Sequence, residues 1–183
     1  MSHKEATLLQ IAQLGQSVLR KKSSVVFSIK NSSIQALIKN LTATLMDVNG
    51  VGIAAPQVYQ AIQLFIIASH PNPRYPNAPN MKPTAVINPS ILSYSKEIVT
   101  DWEGCLSVPG IRALVPRSKT IAVEYITKEG KKVKKTYRDF LARIFQHEFD
   151  HLQGIVFLDR VKTTQDIITE KEFQRLVKIK KRK

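Results

Sequence analysis

The chain has 183 residues, 43% apolar and 23% charged, with a formal net charge of +14 and one cysteine. That length suits one domain with its own core. A single cysteine excludes an internal disulfide, and no run of 18 apolar residues offers a membrane-spanning helix.

The first stretch, "MSHKEATLLQIAQLG", lacks the apolar core and small-residue cleavage site of a secretory signal. The expected compartment is therefore the cytosol or an equivalent reducing space. "NSSIQALIKNLTATLMDVNG" is predicted as a helix: Asn31, Ser32 or Ser33 can cap it, Ile34, Leu37, Ile38, Leu41 and Leu45 recur at helical spacing, and Gly50 can stop it. "QLFIIAS", 63–69, reads as a buried strand. Residues 70–83, rich in proline and without periodicity, read as a surface loop. "TAVINPSILSYSKEIV" suggests a strand, a turn at Pro89 and a second strand. "TIAVEYIT" and "KKVKKTYR" flank a turn at Gly130, a hairpin pattern. "DFLARIFQHEFDHLQ" is a second helix, capped by Asp139 and ended by Gly154. A third helix is expected from Thr163 or Thr164 into the tail. Strands with a helix inserted late, without regular alternation, predict an α+β fold. Its mixed or antiparallel sheets are expected to pack around the central second helix, between an N-terminal and a C-terminal helix.

The charge is uneven. The last nine residues, "RLVKIKKRK", carry six basic groups and no acid, and "KEGKKVKK", 128–135, is a second cluster. One reading is solubility and a frayed tail. The other is contact with a polyanion, where lysine and arginine displace counterions from phosphate. No aromatic residues interleave with these lysines, so sequence-specific base readout is not expected.

"QHEFDH" puts His147 and His151 four residues apart with Glu148 beside the first. Residues four apart on a helix share a face, neutral imidazoles bind borderline divalent metals, and the adjacent glutamate can take a proton from an activated water. A catalytic metal site needs a third protein ligand. No histidine lies downstream; His3 and His70 lie near the terminus and beside the proline-rich loop; Glu170 and Glu172 sit in a polar, exposed-looking stretch. That leaves Cys105 in "WEGCLSVPG". A lone cysteine is often an inert buried thiol, but Gly104 allows close backbone approach and Glu103 and Ser107 surround the sulfur with polar groups. "GVGIAAPQ", 50–57, adds small residues and then Gln57, whose amide can donate to a developing oxyanion.

Taken together, "GVGIAAPQ", "EGCLS" and "QHEFDH", in that order, resemble the peptide deformylase family. The resemblance extends to "LGQSVLRKKS", "VINPSI" and "IRALVPR" and reaches to about Arg160. It implies Cys105, His147 and His151 as metal ligands and Glu148 as general acid/base. Gln57 and the backbone N–H of Leu106 would form the oxyanion hole. Gly52 would bond the substrate backbone. Glu103, pairing with Arg117, and Arg112 would hold the cysteine segment beside the substrate, and Asp150 would support the ligands. Ile53, Leu141 and Ile144 are candidates for a methionine pocket; the alternative for all three is ordinary core packing. Asp139 stands where family members often carry glycine.

The implied reaction is hydrolysis of the N-formyl group from the initiator methionine of a nascent peptide, with release of formate. The implied cofactor is one divalent metal ion, Fe2+ in the cell, with Zn2+, Ni2+ or Co2+ in preparations. Two rivals stand beside it. A zinc protease would share HExxH but would not need Cys105. A basic RNA-binding module with a structural metal would need a closed four-ligand site, and only three ligands are found. The basic tail is expected to touch the ribosome.

Overall fold

The structure is a computed structural model that describes residues 6–71 and 78–180. Helix α1 spans Ser32–Asp47, α2 Asp139–Leu152 and α3 Glu170–Lys180. The strands are β1 Gly52–Ala54, β2 Leu64–Ser69, β3 Met81–Tyr94, β4 Ile98–Cys105, β5 Val108–Ser118, β6 Thr120–Ile126, β7 Lys132–Arg138 and β8 Ile167–Thr169. They form two antiparallel sheets, one ordered β1-β2-β3-β6-β7 and one ordered β4-β5-β8. Helices and antiparallel sheets without βαβ units make the fold α+β, as expected.

Strand β2 shows why its sequence is unbroken apolar. Side chains alternate across a strand, and both faces of β2 are covered. Leu64, Ile66 and Ala68 meet Ile38, Leu41 and Leu45 of α1. Phe65 and Ile67 meet Ala142, Phe145 and Leu152 of α2, with the Phe65 and Phe145 rings edge to face at 5.1 Å. Helix α2 thus lies on the large sheet with its other side toward β5 of the small sheet. A third cluster, Val108, Ala113, Val115 and Phe157, fills the small sheet's inner face and reaches Cys105.

The ends of α1 and α2 obey capping chemistry. The Asn31 side chain accepts from the Ser33 N–H at 2.9 Å. At the far end of α2, Gly154 (φ 74°) donates to the His151 carbonyl at 3.2 Å and Ile155 to the Asp150 carbonyl at 3.0 Å. Those two bonds are a Schellman motif, and they close the helix immediately after the last histidine.

Several expectations need correction. Pro89 does not turn the chain: β3 runs through it with a register shift between Ile87 and Ser90 and with Asn88 at φ 48°. A bulge leaves a residue outside the ladder, where a missing proline N–H costs nothing. The Asn88 side chain is instead bonded both ways to the Val26 backbone, each at 2.8 Å. The left-handed residue after α1 is Asn49, not Gly50; the Gly50 N–H donates to the Leu45 carbonyl at 2.9 Å. Asp139 caps nothing with its side chain; it opens α2 at φ 50°, a conformation that favours glycine. The third helix starts at Glu170, because β8 takes residues 167–169 to pair with β5. Of the proline-rich loop, 72–77 lie outside the described residues, and Met81–Pro83 already belong to β3.

Gly154 carries two demands at once: a left-handed backbone, and a position where a Cβ would sit 2.7 Å from the Arg20 carbonyl oxygen. Gly154→Ala is expected to destabilise the fold by about 2 kcal/mol or more. Thermal unfolding should show a midpoint lower by about 4 to 8 °C; an unchanged midpoint would contradict this account of the turn.

Candidate metal centre and active site

His147 and His151 lie one turn apart on α2, with ring centroids 5.2 Å from each other. Cys105 ends β4 in the tight turn that pairs it with Val108 of β5. This brings a side chain from the small sheet onto the helix that packs on the large one. One ligand atom from each of Cys105, His147 and His151 lies within 4.8 Å of the others, the only such cluster among the described residues. The sulfur is 3.3 Å from His151 Nε2. His147 Nδ1 is bonded to Glu103 Oε2 at 2.9 Å, which turns Nε2 toward the cluster.

The donor set fits a divalent cation. A thiolate and two imidazoles suit borderline metals and leave a coordination position open. Glu148 Oε2, beside the first histidine, is buried with no hydrogen-bond partner, a state that polar groups seldom tolerate without an ion or water nearby. Burial holds His151 well below the ordinary imidazole range, so the ring is neutral at neutral pH and one nitrogen lone pair is available. His147 goes the other way: burial lowers it, but Cys105 and Glu103 outweigh burial and raise it.

Glu103 anchors the support. Its carboxylate accepts from Arg117 Nε at 2.9 Å and Nη2 at 3.0 Å, from Arg143 Nη1 at 2.8 Å, and meets His147. Arg117 continues to Asp150 Oδ2 at 2.5 Å, and Asp150 accepts again from Arg160 Nη2 at 2.7 Å. Burial alone would raise the Glu103 carboxyl; Arg117 and His147 overcome that and hold it far below the carboxylate range. The expected Glu103–Arg117 pair is present. Glu103 also lines the cavity, although its carboxylate oxygens are taken up by this network.

Glu148 is buried, and burial raises its carboxyl to about 7, opposed by the charge on His147. Gly52 lies directly against it: a Cβ at Gly52 would be 2.2 Å from Glu148 Oε1. Gln57 is held by its own turn, its Oε1 accepting from the Ala54 N–H at 2.8 Å. Its Nε2 donates to Ser107 Oγ at 3.1 Å and lies 3.3 Å from the cysteine sulfur. Leu106, next to Cys105, lines the same cavity, which measures about 510 Å³ and also takes in Gly52, Gln57, His147 and Glu148.

Of the pocket candidates, Ile144 lines this cavity. Ile53 does not: it is fully buried in the α1-side core, as strand alternation requires once Gly52 faces the cavity. Leu141 packs into the core between α2 and the large sheet, and Phe140 stands on the wall in its place. Arg112 is buried at the far wall, paired with Glu170 Oε2 at 2.6 Å and lying 4.8 Å over the Phe173 ring. It also lies within 3.0 Å of where a Gly104 side chain would begin, so Gly104 is required for that approach.

Sequence reasoning missed Arg143, Arg160, Phe140 and the Gln57–Ser107 bond. Arg143 had a signal: it lies four residues before His147, on the same helix face. The Arg112–Glu170 pair, 58 residues apart, had none.

The geometry agrees with what the chain resembles. A family model described as polypeptide deformylase matches residues 8–166. Peptide deformylase 2 of Nostoc sp. is 59% identical over 170 residues, 93% of this chain and 95% of that protein. Peptide deformylase 2 of Shewanella oneidensis is 42% identical over 164 residues, 90% of each. Among solved structures, a Met-Ala-Ser-bound class I type b peptide deformylase from Acinetobacter baumannii superposes with a TM-score of 0.82 at 42% identity, covering 85% of this chain and 99% of that one. A peptide deformylase from Synechococcus elongatus in complex with actinonin gives 0.77 at 30%, covering 91% and 86%. A family match over most of its length, with relatives of this identity and coverage, means that the chain belongs to the peptide deformylase family.

Proposed function

We propose that this deformylase removes the N-formyl group from the first methionine of nascent peptides with a divalent cation held by Cys105, His147 and His151. The convergence of those three ligand atoms on one cavity carries the reading. Such a cation, when bound, supplies Lewis acidity that makes water nucleophilic at neutral pH. Fe2+ is the proposed metal on the strength of the family resemblance; one thiolate and two imidazoles suit any of the borderline divalent ions, and Zn2+, Ni2+ or Co2+ could replace it.

The remaining work falls to the chain's own side chains. Glu148, already suited to proton exchange near neutrality, takes the proton of the attacking water and passes it to the departing amine. Oxygen bonds to the formyl carbon, the C–N bond breaks, and formate and a free amino terminus leave. Charge on the formyl oxygen is met by Gln57 Nε2 and the Leu106 N–H, donors worth about 3 to 4 kcal/mol each in comparable sites. Gly52 lies on β1, an edge strand of the large sheet, so its backbone can pair with an extended peptide. The close fit of Gly52 on Glu148 leaves little room there, which favours formyl over bulkier acyl groups. Ile144 contributes the methionine pocket; Arg112 positions the cysteine segment. The residues form one catalytic domain around the HExxH helix and work in the cytoplasm. The ribosome is the source of substrate, reached through the basic tail. The first part of that tail is on α3, where Leu176 and Ile179 are exposed; Lys181 onward lies outside the described residues.

Glu148→Gln should keep its metal by elemental analysis while formate release from formyl-Met-Ala-Ser falls by about 10²-fold or more. Undiminished release would remove Glu148 from the mechanism. Glu103→Gln leaves two buried arginines short of a counter-charge and is expected to cost about 3 kcal/mol. Its melting midpoint should drop by about 6 to 12 °C, and metal affinity by about 10- to 100-fold; normal metal loading and melting would refute the supporting role. Deleting residues 175–183 leaves Glu170 and Phe173, the two partners of Arg112, in the chain. It should weaken co-sedimentation with ribosomes and flatten the salt dependence, with free-peptide activity intact; unchanged co-sedimentation would dismiss the tail.

A further inference from the structure

The second basic cluster lies elsewhere, and the structure gives it a companion. Between Thr120 and Arg138 the β6–β7 hairpin carries six basic residues against two acidic ones. Lys128, Lys132 and Lys134 have side-chain exposures of 59%, 68% and 72%, and Lys131 is exposed in the turn. Glu124 meets Lys132 at 2.7 Å and Lys134 at 3.6 Å, and Glu129 meets Lys128 at 4.0 Å, so the acids offset only part of the charge.

Phe27 is 92% exposed, the highest value among the exposed large apolar residues of the described chain. It is far from the hairpin in sequence and close in space. Gln35 Nε2 donates to the Ile29 carbonyl at 2.9 Å and to the Lys128 carbonyl at 3.0 Å, joining the segment after Phe27 to the hairpin turn. Lys30 Cε is 3.9 Å from where a Gly130 side chain would begin. Just before Phe27, Val26 is buried and its backbone is held by Asn88, the neighbour of Ile87, which pairs with Ile126 as Ile126 pairs with Lys132. Phe27 therefore belongs to a segment whose backbone is held at Val26 and docked on the hairpin turn through Gln35, three residues before Lys30, whose side chain reaches Gly130.

We propose that this surface binds single-stranded RNA, with a base stacked on Phe27 and phosphates on Lys30 and the hairpin lysines. Lysines on an edge strand also prevent unwanted strand pairing. That accounts for charges on β7, but not for Lys30, for lysines in the turn or for an exposed ring among them. A ring beside a run of lysines is the pairing that single-stranded nucleic acid uses. Lys132 and Lys134 share a strand face about 6.7 Å apart, comparable with successive phosphates along a strand. Phe27 with the half-exposed Val25 is little apolar area for a lipid interface, which needs a face of several such groups. The contact is non-sequence-specific, and its ribosomal context rests on the formyl-peptide reading; the binding surface does not.

The test uses the full chain, a fluorescein-labelled short oligouridylate read by anisotropy over a salt series, and phosphatidylserine vesicles in parallel. Phe27→Ala should weaken RNA binding by about tenfold. The triple variant Lys128→Gln, Lys131→Gln, Lys134→Gln should reduce the slope of log affinity against log salt by about 2. Both variants should match the parent in melting midpoint and formate release, since none of these residues lines the active cavity. The proposal is overturned if both variants bind the oligonucleotide like the parent, or if they lose vesicle binding and keep RNA binding. Loss of RNA binding only on deleting residues 175–183 would overturn it too. Failure of the deformylase reading would show separately, as absent formate release from a protein that still binds RNA.

Discussion

A single buried carboxylate ties the small sheet to the helix that carries the two histidines. Glu103 receives two bonds from Arg117, one from Arg143 and one contact from His147. Those partners come from β5 and α2, while Glu103 itself is on β4. Each element would otherwise bring an uncompensated polar group into the interior. A buried charge without its partners costs several kcal/mol, so the strands and the helix are confined to the one arrangement in which all are paired. That arrangement also orients His147 and leaves Cys105, two residues past Glu103, facing the histidines.

The network extends outward from there. Arg143 reaches the Val115 carbonyl at 2.8 Å and the Val99 carbonyl at 2.6 Å, tying α2 to both long strands of the small sheet. Arg117 passes the constraint to Asp150, one residue before the second histidine. The large sheet contributes by packing alone: Phe145 is inserted against Phe65 and Tyr137, which fixes the rotation of α2 and therefore which side His147, Glu148 and His151 present. Apolar packing sets the angle of the helix, and charge pairing sets its register against the cysteine strand.

This division explains what could be read in the sequence. Features that depend on residues close in the chain were legible: the HExxH face, the buried character of β2, the hairpin at Gly130, the Gly154 stop. The small sheet was not. β5 contains Pro109, Gly110 and Pro116, and β8 has only three residues, so neither shows an alternation long enough to register. Pro89 normally marks a turn, so local pattern breaks β3 there; the bulge shows only in the folded chain, in the register shift after Ile87 and in the Val26 N–H donated to Asn88. The pocket candidates separated on geometry that local pattern does contain: Ile53 must face away if Gly52 faces the cavity. Choosing Phe140 over Leu141 required knowing the rotation of α2, which is a property of the packed molecule.

Glu148 and Glu103 show how one fold gives two carboxyl groups opposite character. Both are buried, on the helix and strand that bear Cys105, His147 and His151. Glu103 is surrounded by cationic donors and stays ionised, and its worth is positional. Glu148 has one oxygen without a partner and lies against the bare backbone of Gly52; burial then dominates and brings its proton affinity to about 7. Groups whose environments push them apart in this way take different tasks, one a fixed charge and one a proton carrier. A larger residue at position 52 would displace the Glu148 carboxylate, so the smallness of that residue serves the proposed acid/base group as much as it serves access to the cavity.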